Sequence, residues 1–70
     1  MNNQFYLTFA DVLSECFTSN AKYRGEDMLD GCYIQVRNSV LSFVNEEIGI
    51  IVPLAIDIKT ARDRYRRVFP

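Results

Sequence analysis

Cys32-Tyr33-Ile34-Gln35-Val36-Arg37, then Asn38-Ser39, then Val40-Leu41-Ser42-Phe43-Val44 is the stretch that decides the fold class of this chain. Its first six residues alternate. Cys32, Ile34 and Val36 face one way and Tyr33, Gln35 and Arg37 the other, the period of a half-buried strand. Asn38-Ser39 is a turn signal, and Val40 to Val44 is rich in β-branched and aromatic residues, so a second strand follows. Asn45-Glu46-Glu47 interrupts, and Ile48-Gly49-Ile50-Ile51-Val52 then predicts a third strand joined as a hairpin. That third strand is apolar on both faces, which makes it either central or covered by another subunit. Pro53 ends it.

Upstream, Thr8 and Asp11 stand three apart and predict a helix start related to the capping box. Phe9, Val12, Leu13, Cys16 and Phe17 then share one stripe of a 3.6-residue period, and Thr18-Ser19-Asn20 stops it. Residues 20–31 are polar, hold two glycines and show no clean period, so they are expected to form a connecting loop. Downstream, Leu54, Ile58, Ala61, Tyr65 and Val68 recur at helical spacing behind Asp57, a helix cap. The expectation is a single α+β domain over residues 1–70. It has an N-terminal amphipathic helix, a three-stranded antiparallel meander, and a C-terminal basic helix or partly extended tail.

Seventy residues bury only about 60% of the surface that the unfolded chain exposes. Such a core is marginal unless disulfides, a metal or self-association adds to it. With no His and two Cys, a zinc site of the usual type lacks ligands. Cys16 falls on the helix stripe and Cys32 opens a strand, which predicts buried thiols. That leaves self-association, and a homo-oligomer is expected. Met1-Asn2-Asn3-Gln4 carries no basic residue, Thr8 and Asp11 interrupt the next apolar stretch, and the run Ile50 to Ile56 is broken by Pro53. These features predict neither a secretory signal nor a membrane span, hence a cytoplasmic protein.

The net charge of −1 hides a split. Residues 1–57 carry eight acids against three bases, whereas residues 58–70 carry Lys59, Arg62, Arg64, Arg66 and Arg67 against Asp63. A dedicated duplex binder is usually basic throughout. The basic end is therefore expected to complete a helix dipole, with Asp63 paired four residues from both Lys59 and Arg67. The alternative is nucleic-acid contact, with Lys59, Arg62, Arg66 and Arg67 holding phosphates beside Tyr65.

Nothing in the chain builds a catalytic motif. Glu15 and Cys16 are helix neighbours that point apart, and Asp27 with Asp30 and Glu46 with Glu47 fall in turn-like stretches where solvated charges belong. Gly25, Gly31 and Gly49 are isolated from one another, without phosphate-loop spacing. The expected protein is not an enzyme and uses no cofactor.

Thr8-Phe9-Ala10-Asp11-Val12-Leu13, Ala21-Lys22-Tyr23-Arg24-Gly25-Glu26-Asp27-Met28, Gly31-Cys32-Tyr33-Ile34-Gln35-Val36, Asp57-Ile58 and Ala61-Arg62-Asp63-Arg64-Tyr65 occur in that order. The set resembles phage-encoded anti-Thoeris sponge proteins of the second type. It departs from them in having no Trp: Met28 stands at the first aromatic position, and Tyr65 is displaced by one from the second. The resemblance implies a non-catalytic counter-defence protein that sequesters a cyclic ADP-ribose-type signal between subunits, with Arg24, Tyr33 and Asp63 at the site. The expected partners are thus a second copy of the chain and either a host protein or an anionic small molecule.

Overall fold

Asn38 and Ser39 both adopt left-handed backbone, with φ of 52° and 65°. Two successive positive φ values make the turn whose twist matches that of paired strands, and the strand on each side runs straight into it. The computed structural model describes residues 4–68. Within them the chain order is α1 (Phe9–Ser19), β1 (Lys22–Gly25), β2 (Cys32–Arg37), β3 (Val40–Asn45), β4 (Ile50–Pro53), α2 (Ile58–Arg62) and β5 (Tyr65–Val68). All five strands form one antiparallel sheet in the order β4-β3-β2-β1-β5. The protein is α+β, and the meander β2-β3-β4 runs from the centre of the sheet to one edge, with β3 and β4 as its outer half.

Helix α1 begins with a full capping box: the Asp11 amide donates to Thr8 Oγ1 at 3.1 Å and the Thr8 amide to Asp11 Oδ2 at 2.9 Å. It ends on Asn20 in the left-handed region. Its stripe lies over the inner half of the sheet, where Leu7, Phe9, Val12, Cys16, Tyr23, Ile34 and Tyr65 form the core. The Phe9 and Tyr65 rings meet at 5.8 Å, tilted by 43°. Leu13 and Phe17 stay exposed at the flank of the stripe. Cys16 and Cys32 are buried and unbridged, and burial pushes the Cys16 thiol up.

Three sequence expectations need correction. Residues 20–31 are not all loop, because Lys22–Gly25 is strand β1. Tyr23 and Gly25 are buried against α1 and Asp63, while the charged Lys22 and Arg24 alternate onto the other face, so four residues hide a period of two inside a polar stretch. The C-terminal helix over residues 57–68 is also wrong. Asp57 does cap a helix, but α2 stops at Arg62, and Asp63 turns to extended backbone with φ −64° and ψ 162°. There the Asp63 carboxylate accepts from the Arg64 amide at 2.8 Å. Tyr65–Val68 then pairs with β1, from Gly25 opposite Tyr65 to Lys22 opposite Val68. A helix of that length is marginal alone, whereas a strand buries Tyr65 and completes the sheet. The expected pairing of Asp63 with Lys59 and Arg67 is lost with that helix. Lastly, β4 stands at the sheet edge, which excludes the central position for it.

Arg67 turns instead to α1. Its Nε and Nη2 donate to Glu15 Oε2 and Oε1, each at 2.7 Å, and its Nη1 donates to Tyr6 Oη at 3.1 Å. The buried Tyr23 hydroxyl donates to Glu15 Oε2 at 2.7 Å and meets Ser19 Oγ at 2.9 Å. A bidentate guanidinium–carboxylate pair is the strong form of the interaction. This one joins positions 52 residues apart. The Arg67 and Tyr23 bonds hold the Glu15 carboxyl below its usual range, and burial raises the Tyr23 phenol.

Tyr23→Phe removes one member of this network and leaves Glu15 and Ser19 each short of a partner. It is expected to cost about 1–2 kcal/mol, read as a fall in Tm of roughly 4–8 °C per kcal/mol for a domain of this size, with the far-ultraviolet spectrum unchanged.

Candidate functional site

Helix α1 covers only the inner half of its sheet face. Over the outer half, the segment after β4 and the short helix α2 arch above β3 and β4 and leave an open cleft of about 410 Å³. Met28, Leu29, Phe43, Val52, Leu54 and Tyr65 give it apolar walls, and Asp27, Lys59 and Asp63 add charge.

The roof is held from both ends. The Thr60 amide donates to Asp57 Oδ1 at 2.8 Å, capping α2 and holding the Asp57 carboxyl low. From below, the Tyr65 hydroxyl donates to the Thr60 carbonyl at 2.7 Å. Tyr65 is fully buried, and that burial, with the charges of Asp63 and Asp57 beside it, pushes its phenol up to about 12. The far wall is held by Arg24. Its Nη1 donates to the carbonyls of Leu29 at 3.2 Å and Cys32 at 3.0 Å, and its Nη2 to the Met28 carbonyl at 3.3 Å. Asp30 lies 3.6 Å away. Arg24 therefore shapes the β1–β2 loop that supplies Asp27, Met28 and Leu29.

Among the described residues, Asp27, Lys59 and Asp63 make no ion pair. Asp63 lies over Gly25, and a Cβ there would collide with its Oδ2. The cleft thus offers an apolar bed with two carboxylates and one ammonium beside it, the composition of a site that orients a bound group by a few polar contacts. Among the described residues no cluster of His, Cys, Asp and Glu is fit to hold a metal ion, and no helix is long and apolar enough to cross a membrane.

The eight residues singled out from sequence do not converge. Lys59, Asp63 and Tyr65 meet in the cleft. Arg24 and Tyr33 share a smaller hollow of about 200 Å³ with Lys22 on the opposite face of the sheet, where Tyr33 donates to Glu46 Oε1 at 2.7 Å, accepts from Arg37 Nη2 at 3.0 Å, and has Lys22 Nζ 4.8 Å above its ring. The Tyr33 bond and the nearby Lys22 charge hold the Glu46 carboxyl low. Arg66 lies over the Phe5 ring at 5.5 Å, Arg67 is bound to Glu15, and Arg62 is exposed on α2. Met28, Leu29, Phe43 and Leu54 make the cleft apolar; the sequence reading places Phe43 in a strand, Leu54 on a helical stripe and Met28 at a family aromatic position, and none of the four among the site residues.

No protein-family model, curated protein or solved structure matches the chain.

Two outcomes follow from this geometry. Because the folded phenol of Tyr65 ionises above the usual value of 10, its contribution to stability is complete below that pH and is lost as pH rises towards about 12; Tyr23 shifts in the same direction. Urea midpoints should stay level from pH 8 to 9.5 and decline beyond pH 10 together with the appearance of tyrosinate absorbance. Gly25→Ala should destabilise by about 1–3 kcal/mol through overpacking against Asp63. The Gly25→Ala/Asp63→Ala pair should lose less than the sum of the single changes, by at least about 0.5 kcal/mol.

Proposed function

We propose that this chain is a non-catalytic binding protein that works as an oligomer and takes a host protein partner on the cleft side of its sheet. The observation that carries this reading is the exposed apolar rim around the cleft. Leu29 is 78% exposed, Ile58 71% and Ile56 61%, on segments that also line the cleft. Large exposed apolar groups gathered around a concavity with a few charges are the features of a protein contact with a central anchor. The partner side chain that fits is apolar, with a basic residue next to it to meet Asp27 and Asp63.

Sequestration of a nucleotide signal is the second reading, and Lys22, Arg24 and Tyr33 around the opposite hollow favour it. Phosphates entering the main cleft would meet two carboxylates. In the hollow they would compete with the carbonyls that already hold Arg24. Nucleic-acid contact through the basic end is the weaker alternative, because Lys59, Arg62, Arg66 and Arg67 do not share one surface.

Affinity capture from host-cell lysate, run with the native chain and with Leu29→Glu and Ile58→Glu, separates these readings. Both substitutions fall on exposed side chains and should leave Tm within about 2 °C. A partner retained by the native chain and lost from both variants is the expected result, with no thermal stabilisation by a panel of cyclic nucleotides. A nucleotide that raises Tm, and fails to do so for Arg24→Ala, would replace this reading with sequestration.

A further inference from the structure

The two edges of the sheet differ. At the β5 edge the Leu7 amide donates to the Tyr65 carbonyl at 2.9 Å and the Tyr65 amide to the Leu7 carbonyl at 2.8 Å, so the segment before α1 takes up the outward groups of Tyr65. Arg66 and Arg67 place charge on the same strand. A charged and covered edge is the usual defence of a sheet against further pairing.

Among the described residues, strand β4 has no such defence. Ile50, Ile51 and Val52 are all exposed, Ile51 by 53%, and no charged residue interrupts them. The phase of its ladder follows from two bonds: the Glu46 amide donates to the Gly31 carbonyl, and the Leu54 amide to the Leu41 carbonyl. Antiparallel ladders alternate between bonded and non-bonded pairs. Residues 42 and 44 of β3 therefore bond to β2, and Phe43 and Asn45 bond to Val52 and Ile50 of β4. Ile51 and Pro53 consequently turn their backbone groups away from β3 towards open solvent. Proline at position 53 loses no ladder bond, since its missing N–H belongs to the outer side.

This phase restricts what can pair there. Pro53 offers no donor, and Gly49 has φ 71° and lies in a turn, so neither can exchange both bonds in a ladder. Ile51 can. An antiparallel partner with the same limits fits with Ile51 opposite Ile51. In that register Ile50 of one copy stands beside Val52 of the other on the cleft face, and the two Ile51 side chains stand together on the opposite face.

We propose that two copies of this chain join through β4 in this register, around a two-fold axis at Ile51, so that two five-stranded sheets continue as one and Ile50 of the partner subunit extends the Val52 wall of each cleft. The inference rests on the oligomeric reading above and specifies the surface. Pairing of β4 with β5 would leave a free edge at each end and grow filaments, and the Leu7 bonds already occupy that side. The strand is short, so the apolar side chains carry the contact and the dimer dissociates on dilution.

Light scattering after size exclusion, across a dilution series, tests this with three proteins. The native chain should pass from twice its 8.1 kDa mass towards that mass as it is diluted. Ile51→Lys should be a monomer at every concentration with the native circular dichroism. Ile51→Cys should form a covalent dimer under oxidised glutathione, because opposed residues in a bonded pair are about 5.5 Å apart, within disulfide reach; the native chain, with Cys16 and Cys32 buried, should not. If Ile51→Lys does not fold, the cysteine crosslink decides. A native monomer at all concentrations would overturn both the oligomeric reading and this surface. A native dimer that survives Ile51→Lys, or in which Ile51→Cys fails to crosslink, would leave self-association standing and overturn the β4 register; growth into long assemblies would overturn the two-fold closure.

Discussion

The bidentate pair between Glu15 and Arg67 is the contact on which the rest of the molecule depends. Helix α1 lies near the start of the chain and β5 near its end, and this pair, with the Tyr23 hydroxyl between them, ties both to β1. Burial alone is non-directional and would keep the Phe9 stripe on the sheet without choosing an angle. Two parallel N–H···O bonds do choose one. With β5 held in this way, Tyr65 reaches under the roof of the cleft and bonds the Thr60 carbonyl. The shape of the cleft, remote from the pair, follows from it.

The same arrangement makes the sheet asymmetric. Its inner half has a helix on one face and a covered edge, and it contains the core residues of the sheet, Tyr23, Ile34 and Tyr65. Its outer half has β4 exposed along its length and a short helix that arches over without filling the space below. A chain of this size has little apolar surface to spare for the interior. Here a run of isoleucine and valine stays outside, in strand geometry, paired with β3 on one side and with no strand among the described residues on the other. That distribution is the reason for placing interactions with other molecules on the outer half.

The parts of this fold legible in the sequence were those whose cause is local. The capping box at Thr8 and Asp11 and the turn at Asn38-Ser39 each depend on neighbours within a few positions, and each forms as read; residues 32–37 do form a strand, but Tyr33 is buried together with Cys32 and Ile34, so its burial does not follow the alternation. Strand β1 was not legible because a two-residue period confined to four residues of a charged stretch has meaning only once β2 and β5 lie on either side of it. The C-terminal segment misled for a related reason. Its apolar residues fit a helix, but Tyr65 is drawn into the core and Arg67 to Glu15, 52 residues away, and no spacing rule reports a partner at that distance. The cleft assembles Asp27 and Met28 from one loop, Phe43 and Val52 from two strands and Lys59 from a helix. Of the site, sequence reading reached Lys59, Asp63 and Tyr65, whose charge and aromatic character stood out, and missed the apolar walls that give them a common surface.

The proposed dimer, with the sheet closed at β5 and completed by a second copy at β4, makes opposite demands on two amides, and residue-resolved hydrogen exchange across a concentration series reads both at once. The Tyr65 amide, bonded to the Leu7 carbonyl within one chain, should be protected to the same degree at every concentration. The Ile51 amide points away from β3 and should exchange freely when dilute, then gain protection as the concentration rises. An Ile51 amide that exchanges at the rate of an unstructured peptide from the lowest to the highest concentration would contradict the open edge as the meeting surface of two copies.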